Sequence, residues 1–343
     1  MAAWSKDWSF CRIPGARRSK LAWVEVRGVV RRLPDDGLAV LQPLFETVFK
    51  QPVSLALLHW KYGEQRGESW LVESADGQPS MHCGLYFRDV RHRGLLLRVP
   101  QLVDLMAPPK SMGLTRTESP FALLMRKILA DLPRPDNPDG MAFGVPSDRA
   151  MRLGEHMGVY RAVDQMMELE FAPKRRRFGP RWRVLSSISA SDAATVNHLW
   201  MRMSGDLSAF ALGVRDAAYL QQRYLAHPEK RYTLLLVEGY WWRQPIGLAV
   251  IGQGDDRREL LDVVSCWDNV PAVIGAAQAW LAETPAKSLS FLLTERFARQ
   301  LSSLAAHCKA TQFRIMANPF SPPSSIAALE GQWWLTGGDT DYR

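Results

Sequence analysis

The chain has 343 residues, enough for about two domains of ordinary size, and its 43 Lys and Arg against 35 Asp and Glu give a net charge of +8. Hydrophobic residues make up 47% and charged residues 23%, which excludes a mostly disordered or collagen-like protein. No uncharged apolar run reaches the ~18 residues of a membrane span, and residues 1–20 lack the apolar core of a secretory signal, so we expect a cytoplasmic protein with no membrane partner.

The first half of the chain predicts a compact unit of helices and strands. Apolar spacing over Val40–Phe49 and Val53–Lys61 is typical of two short helices. Three strand-like runs follow, separated by turns that contain glycine: Ser69–Glu73, Met81–Phe87 and Leu95–Leu105. A helix, a strand, a short helix and a last strand complete the predicted order, with the first two at Pro120–Leu132 and Met141–Val145.

A basic run separates the two halves. Residues 172–183 contain six Lys or Arg side chains, two prolines and a glycine, a composition typical of a solvated linker. Clustered cations also suit a nucleic-acid patch. Without these six charges the net charge would be only +2, so the basic composition is local and we favour the linker and expect no nucleic-acid partner.

The second half repeats the first. Helices are predicted at Ala193–Met203, Asp216–Leu225 and Pro271–Glu283, and strands at Tyr232–Val237, Ile246–Ile251, Glu259–Val264 and Ser288–Leu293. Tyr62 precedes the strand residue Trp70 by eight positions, and Tyr224 precedes Tyr232 by the same number, an offset of 162 residues. Gly84 and Gly247, and Asp104 and Asp262, keep nearly that offset, which predicts an internal duplication of about 150 residues.

Other site chemistries lack their motifs. The four cysteines lie far apart without a Cys-x-x-Cys pair, and no two histidines have ligand spacing, so we expect no metal and no disulfide framework. The chain has no Gly-x-Ser-x-Gly elbow, no Walker loop and no Rossmann glycine cluster. The 13 Trp residues are interpreted as core and interface filler in preference to a base-stacking platform.

Several local motifs, in this order, resemble the GNAT superfamily of acyl-CoA-dependent N-acyltransferases. In the first half they are His59-Trp60-Lys61-Tyr62, Gln101-Leu102-Val103-Asp104, Phe143-Gly144-Val145-Pro146-Ser147-Asp148-Arg149-Ala150 and Leu153-Gly154-Glu155-His156-Met157-Gly158-Val159. In the second half they are Arg215–Pro228 and Trp334–Asp341, which look like the corresponding segments of bacterial members with two copies of the domain. The resemblance implies an α/β (α+β) protein of two tandem domains, each a mixed, mostly antiparallel sheet flanked by helices. We assign 1–22 to an N-terminal extension, 23–172 to a first domain that binds acyl-CoA, 173–181 to the linker and 182–343 to a degenerate second domain.

The resemblance also implies a place for acetyl-CoA or another acyl-CoA. In the family, strands four and five splay apart, and the loop after strand four points backbone N–H groups at the pyrophosphate. The corresponding donor-site residues here are Val103, Leu105, Lys110, Ser111, Met112, Gly113, Leu114, Thr115, Arg116 and Ser147. Only one glycine of the family's loop pattern is present, and Glu118 and Pro120 suit a diphosphate poorly. The equivalent loop of the second half, 265–271, has neither glycine nor cation, so no donor is expected there.

The catalytic groups are less defined by the resemblance. Members often supply a tyrosine as the acid for the departing thiolate, but the matching position here is Gly154, which leaves Tyr160 as the candidate. Asp104 and His82 are the candidate bases, beside Glu73, and each is also open to a structural interpretation.

These features favour an N-acyltransferase that moves an acetyl or other acyl group from acyl-CoA to an amine of a small molecule or an amino-sugar. Two alternatives stay open. One is a non-catalytic relative that keeps the fold as a binding or scaffold module and has lost the donor site. The other is a transferase that uses aminoacyl-tRNA, for which the basic run is the specific support. The sequence also leaves a homodimer open.

Overall fold

The computed structural model describes residues 28–74, 77–108, 119–175, 177–318 and 329–340. The elements of the first half are β1 (Val29–Leu33), α1 (Leu41–Phe49), α2 (Leu55–Tyr62), β2 (Gly67–Glu73), β3 (Pro79–His92), β4 (Leu95–Met106), α3 (Pro120–Ala130), β5 (Phe143–Gly144), α4 (Asp148–His156) and β6 (Arg161–Phe171). Those of the second half are β7 (Arg181–Leu185), α5 (Ala190–Asp206), β8 (Ala211–Gly213), α6 (Ala217–Leu220), β9 (Tyr232–Glu238), β10 (Pro245–Gly252), β11 (Arg257–Ser265), α7 (Val270–Leu281), β12 (Ser288–Thr294), α8 (Glu295–Leu301), β13 (His307–Ala317) and β14 (Trp333–Trp334).

The strands form one continuous sheet through both halves. Its order is β1-β2-β3-β4-β5-β13-β6-β12-β11-β10-β9-β7, with β8 attached to β3 and β14 to β8. The pairs β4–β5, β11–β12 and β8–β14 are parallel and the others antiparallel. The predicted mixed, mostly antiparallel sheet flanked by helices is therefore confirmed.

The halves exchange a strand at the centre of this sheet. Strand β13 comes from the second half of the chain, yet it lies between β5 and β6 of the first half. The amide of Gln165 on β6 donates to the carbonyls of Thr311 and Phe313 on β13 at 2.7 and 2.9 Å. On its other edge β6 pairs with β12. The sequence prediction of two repeated units did not include this exchange.

Capping side chains explain where most helices begin. A serine hydroxyl or an aspartate carboxylate accepts a backbone N–H of the first turn in α2, α3, α4, α5 and α6, from Ser54, Ser119, Ser147, Ser189 and Asp216. Such caps satisfy donors that the helix itself leaves unpaired. The predicted helix at Asp216–Leu225 divides into α6 and a π-helical turn at Gln221–Leu225.

Alternation along β2 directs side chains to cores on both faces of the first-half sheet. Trp70 packs with α3, whereas the next residue, Leu71, packs with α1 and α2.

Strand β5 is shorter than the predicted Met141–Val145, because the N–H and C=O of Met141 bond the Asn137 side chain instead of a neighbouring strand. Among the described helices none is both long and apolar enough to cross a membrane.

Candidate functional site

A cleft opens where β4 and β5 separate. The two strands pair only at Gln101–Phe143 and Leu102–Gly144, and past these pairs β4 continues while the chain after β5 turns into α4. The space between them has a volume of about 570 Å³. Four of the predicted site residues line it on these two sides, namely Val103, Asp104, Leu105 and Ser147. The other predicted donor residues, Lys110, Ser111, Met112, Gly113, Leu114, Thr115 and Arg116, lie outside the described residues.

A β-bulge at Asp104 shapes the floor of this cleft. The register between β3 and β4 shifts between the pairs Gly84–Val103 and His82–Met106, so that β4 carries one extra residue. Asp104 adopts a left-handed backbone conformation with φ of 45°. Such a conformation is uncommon for a residue other than glycine and is held only when its surroundings fix it.

The carboxylate of Asp104 is fixed by two neighbours from α2. Lys61 Nζ lies 2.9 Å from both carboxylate oxygens, and the Tyr62 hydroxyl donates to Oδ2 at 2.5 Å. Burial alone would raise the pKa of Asp104, but the Lys61 charge and the Tyr62 hydrogen bond outweigh it and hold this pKa below its usual range. Asp104 is thus an ionised, paired group beneath the cleft, which makes it a poor proton acceptor near neutral pH.

His82 supports the bulge from the opposite strand and does not line the cleft. Its Nδ1 donates to the backbone carbonyl of Asp104 at 2.9 Å, and its Nε2 accepts from the Ser69 hydroxyl at 2.9 Å. Burial lowers the pKa of His82 to about 4, so the ring is neutral at pH 7. Both ring nitrogens are engaged, and this geometry favours a structural role over the predicted base. The third candidate base, Glu73, pairs with Arg31 at 2.6 Å and is also outside the cleft lining.

Tyr160 lines the cleft, but its hydroxyl is occupied. It donates to the carbonyl of Ala150 in α4, and burial raises the pKa of the phenol. The ring lies against Gly154, where a Cβ atom would come within 2.0 Å of Tyr160 Cζ. Tyr160 therefore fills the space beside the position at which the resemblance places the acid. A phenol with a raised pKa is a weak acid for a thiolate.

The fold is similar to those of solved acyltransferases. A probable N-acyltransferase from Enterococcus faecalis V583 has a TM-score of 0.65 at 12% identity, over 84% of this chain and 72% of that one. A GCN5-related N-acetyltransferase from Kribbella flavida has a TM-score of 0.60 at 16% identity, over 84% and 71%. The N-myristoyltransferase of Saccharomyces cerevisiae, solved with bound myristoyl-CoA, has a TM-score of 0.55 at 9% identity, over 87% and 79%. No family model and no curated protein matches the sequence.

The chain has a tandem GNAT fold. The first-half cleft occupies the gap between strands four and five of the first GNAT unit, and the bulge at Asp104 lies on strand four. The second GNAT unit repeats the bulge and its tyrosine contact. Strand β11 carries a bulge beside Asp262, and the Tyr224 hydroxyl donates to Asp262 at 3.0 Å, as Tyr62 does to Asp104.

In the second GNAT unit the equivalent gap is filled by the chain itself. Strands β11 and β12 pair as far as Leu260–Phe291, and beyond this point residues 333–340 lie against them. Thr336 forms an isolated antiparallel β-bridge with Leu293, and its Oγ1 lies 3.5 Å from Oδ1 of Asp262. Gly338 lies so close to Tyr224 that a Cβ atom at 338 would be 2.1 Å from the tyrosine hydroxyl. This packing leaves no room for a ligand in the part of the gap that these residues occupy.

Buried ion pairs hold this filling segment to both halves. Asp339 accepts from Arg88 of β3 at 2.8 Å and from Arg215 at 2.5 Å, and Arg215 also donates to Asp262 at 2.6 Å. All four side chains are almost fully buried. Arg215 and Asp339 belong to the two motifs of the second half, and Asp262 belongs to the internal repeat. No local pattern predicts that they form a network, because the three lie far apart in the chain.

The second half also contributes to the first cleft. His227, Glu229 and Lys230 line it, as do Gln312, Phe313 and Met316 of β13. His227 Nδ1 accepts the N–H groups of Glu229 and Lys230 at 3.1 and 3.0 Å, and burial lowers the pKa of His227 to about 4. His227 is not among the site residues predicted from the sequence. The only signal for it was its position in the Arg215–Pro228 motif.

Among the described residues no group of three His, Cys, Asp or Glu side chains is arranged to hold a metal ion.

Proposed function

We propose that the protein is an N-acyltransferase that takes an acetyl or other acyl group from acyl-CoA and transfers it to an amine of a small molecule or an amino-sugar. The observation that carries this proposal is the contrast between the two GNAT units. The gap between strands four and five is an open cleft in the first and is filled by residues 333–340 in the second. One donor would therefore bind per chain.

The exposed edge of β4 suits the pantetheine arm of the donor. Past Leu102 the strand has no partner on the β5 side among the described residues, so backbone groups at Val103 and Leu105 face the cleft without a neighbouring strand. An amide-containing arm can complete the hydrogen bonds that an unpaired strand edge leaves open. On the other wall, Ser147 lies at the beginning of α4. The predicted donor-site residues 110–116, which would bind the pyrophosphate, come after β4 in the sequence.

The reaction needs a neutral amine at the thioester carbon. A C–N bond forms, the C–S bond breaks, the amine loses a proton and the departing thiolate gains one. Two acidic side chains are found in the described lining, Asp104 and Glu229. Asp104 is buried in its pair with Lys61, whereas Glu229 is exposed and accepts from the Ser54 hydroxyl at 2.5 Å. We therefore propose Glu229 as the group that takes the amine proton, and the mouth beside it as the acceptor side.

Thermal unfolding with acetyl-CoA tests the donor site. Ligand that binds the folded state raises Tm, so we expect a rise that saturates with concentration. Ser147→Trp should abolish it by narrowing the cleft. Ser189→Trp is a matched control, because Ser189 is also an exposed N-cap serine but lies outside the cleft lining. No shift with any CoA ester or with free CoA would overturn the proposal.

Release of free CoA thiol with a panel of amines tests the transfer. Glu229→Gln should lower kcat/KM by about 10²-fold or more and leave the acetyl-CoA shift in Tm unchanged. Donor binding without transfer to any amine would favour the non-catalytic alternative. Transfer from aminoacyl-tRNA but not from acyl-CoA would favour the alternative of an aminoacyl-tRNA-dependent transferase.

A further inference from the structure

The turn between β9 and β10 exposes two tryptophans. Trp241 and Trp242 are 83% and 86% exposed, and the neighbouring Tyr240 is 37% exposed. A large aromatic side chain in water forgoes the free energy of burial, and Trp is highly buried in most proteins. These side chains therefore call for a function other than core packing.

The linker between the halves extends this aromatic surface. Strand β7 pairs with β9 from Arg181–Glu238 onward, so the linker arrives beside the β9–β10 turn. Phe178 of the linker is 67% exposed, and its ring centroid lies 6.1 Å from that of Tyr240, which in turn lies 4.9 Å from Trp241. We call Phe178, Tyr240, Trp241 and Trp242 the aromatic knob.

The two segments that carry the aromatic knob are rich in positive charge. Five exposed cations lie in the same two segments, and none makes an ion pair with a described residue: Lys174, Arg175, Arg177, Arg181 and Arg243. Arg177 lies over the Phe178 ring at 5.7 Å. The one acidic residue of these segments is Glu238, which is the backbone partner of Arg181 in the β7–β9 ladder but forms no ion pair with it. The two segments thus combine four exposed aromatic side chains with five exposed cations.

We propose that the aromatic knob docks the protein on a membrane surface that contains anionic lipids. Trp and Tyr favour the interfacial layer of a bilayer, and Lys and Arg are attracted to its anionic headgroups. The expectation of no membrane partner rested on the lack of a spanning segment, which a peripheral contact does not need. A single-stranded nucleic acid is less favoured, because stacking platforms lie in grooves and the aromatic knob lines none of the four described cavities.

Flotation with lipid vesicles tests this proposal. We expect the protein to float with vesicles of phosphatidylcholine and phosphatidylserine, to bind phosphatidylcholine alone much more weakly, and to be released by added salt. Trp241→Ser with Trp242→Ser should weaken binding by about tenfold or more. Arg177→Gln with Arg181→Gln should weaken it by about fivefold per charge, in the anionic vesicles only.

A second exposed apolar turn supplies the control. Leu95 and Leu96, the first residues of β4 after the β3–β4 turn, are 59% and 60% exposed, and Leu95→Ser with Leu96→Ser should leave binding unchanged. Lack of binding to anionic vesicles, or binding that follows Leu95 and Leu96 instead, would overturn the proposal. So would a tryptophan double variant that alters only the binding of single-stranded RNA, or only the oligomeric state measured by light scattering.

Discussion

The ring of Tyr160 occupies the space into which any side chain at Gly154 would project, since a Cβ at 154 would lie 2.0 Å from Tyr160 Cζ. The glycine on α4 and the tyrosine immediately before β6 are thus a matched pair. The tyrosine hydroxyl then reaches back to the carbonyl of Ala150. Gly154 is therefore small for a packing reason, and it occupies the position at which the resemblance to the GNAT superfamily implies a tyrosine acid.

We expect Gly154→Ala to destabilise the protein by about 1–3 kcal/mol through overpacking against Tyr160. With Tyr160→Ala as the background, the same change should be neutral or stabilising by about 0.5–1 kcal/mol, because alanine is the better helix former. Urea unfolding of the unchanged protein and of the three variants in this cycle measures the reversal of sign. An equal cost in both backgrounds would show that the two residues are not coupled.

Removing one partner of the Lys61–Asp104 ion pair should destabilise the protein more than removing both. Asp104→Asn removes a carboxylate from the buried Lys61 charge, and we expect a loss of about 3–5 kcal/mol in the free energy of unfolding. Asp104→Asn together with Lys61→Met should lose less than Asp104→Asn alone, because the buried charge is also removed. Urea unfolding measures both, and a double variant less stable than the single one would contradict this account.

His82 should make stability depend on pH in a defined window. Its pKa is about 4 in the folded protein and about 6.5 when unfolded, so the unfolded chain binds the extra proton between these values. The stabilisation is therefore present above pH 6.5 and is lost as pH falls towards 4, by up to about 3 kcal/mol.

Unfolding free energies measured from pH 4 to 7 check this dependence. His82→Asn should reduce the slope, with His227 keeping part of it, whereas the exposed His198→Asn should leave it unchanged. A slope that is the same in all three proteins would assign the pH dependence to other groups.

Donor stoichiometry tests the filled gap. Titration calorimetry with acetyl-CoA should give one site per chain, because residues 333–340 occupy the second gap. Asp339→Asn should weaken the contacts that this segment makes with Arg88 and Arg215, and hydrogen exchange should then increase in β8 and β14. Two equivalent sites per chain would contradict the filled gap.

Local patterns predicted most elements, because each depends on residues close in sequence. The offset that pairs Tyr62 with Tyr224 predicted the duplication, and both tyrosines donate to the aspartates that the same comparison paired. Gly84 and Gly247 both lie where a Cβ would clash, with Tyr62 and Val273. The partners of Asp104 and the approach of His227 to the cleft depend on contacts between distant segments, and no local pattern encodes them.

The position of β13 has a consequence for the independence of the two halves. A strand supplied by the second half completes the sheet of the first, so neither half, cut at the linker, would retain all its pairing partners. The isolated first half would expose the facing edges of β5 and β6, and unpaired strand edges favour aggregation. We therefore expect the two halves to fold as one unit, and a truncated chain to be a poor substitute for the whole.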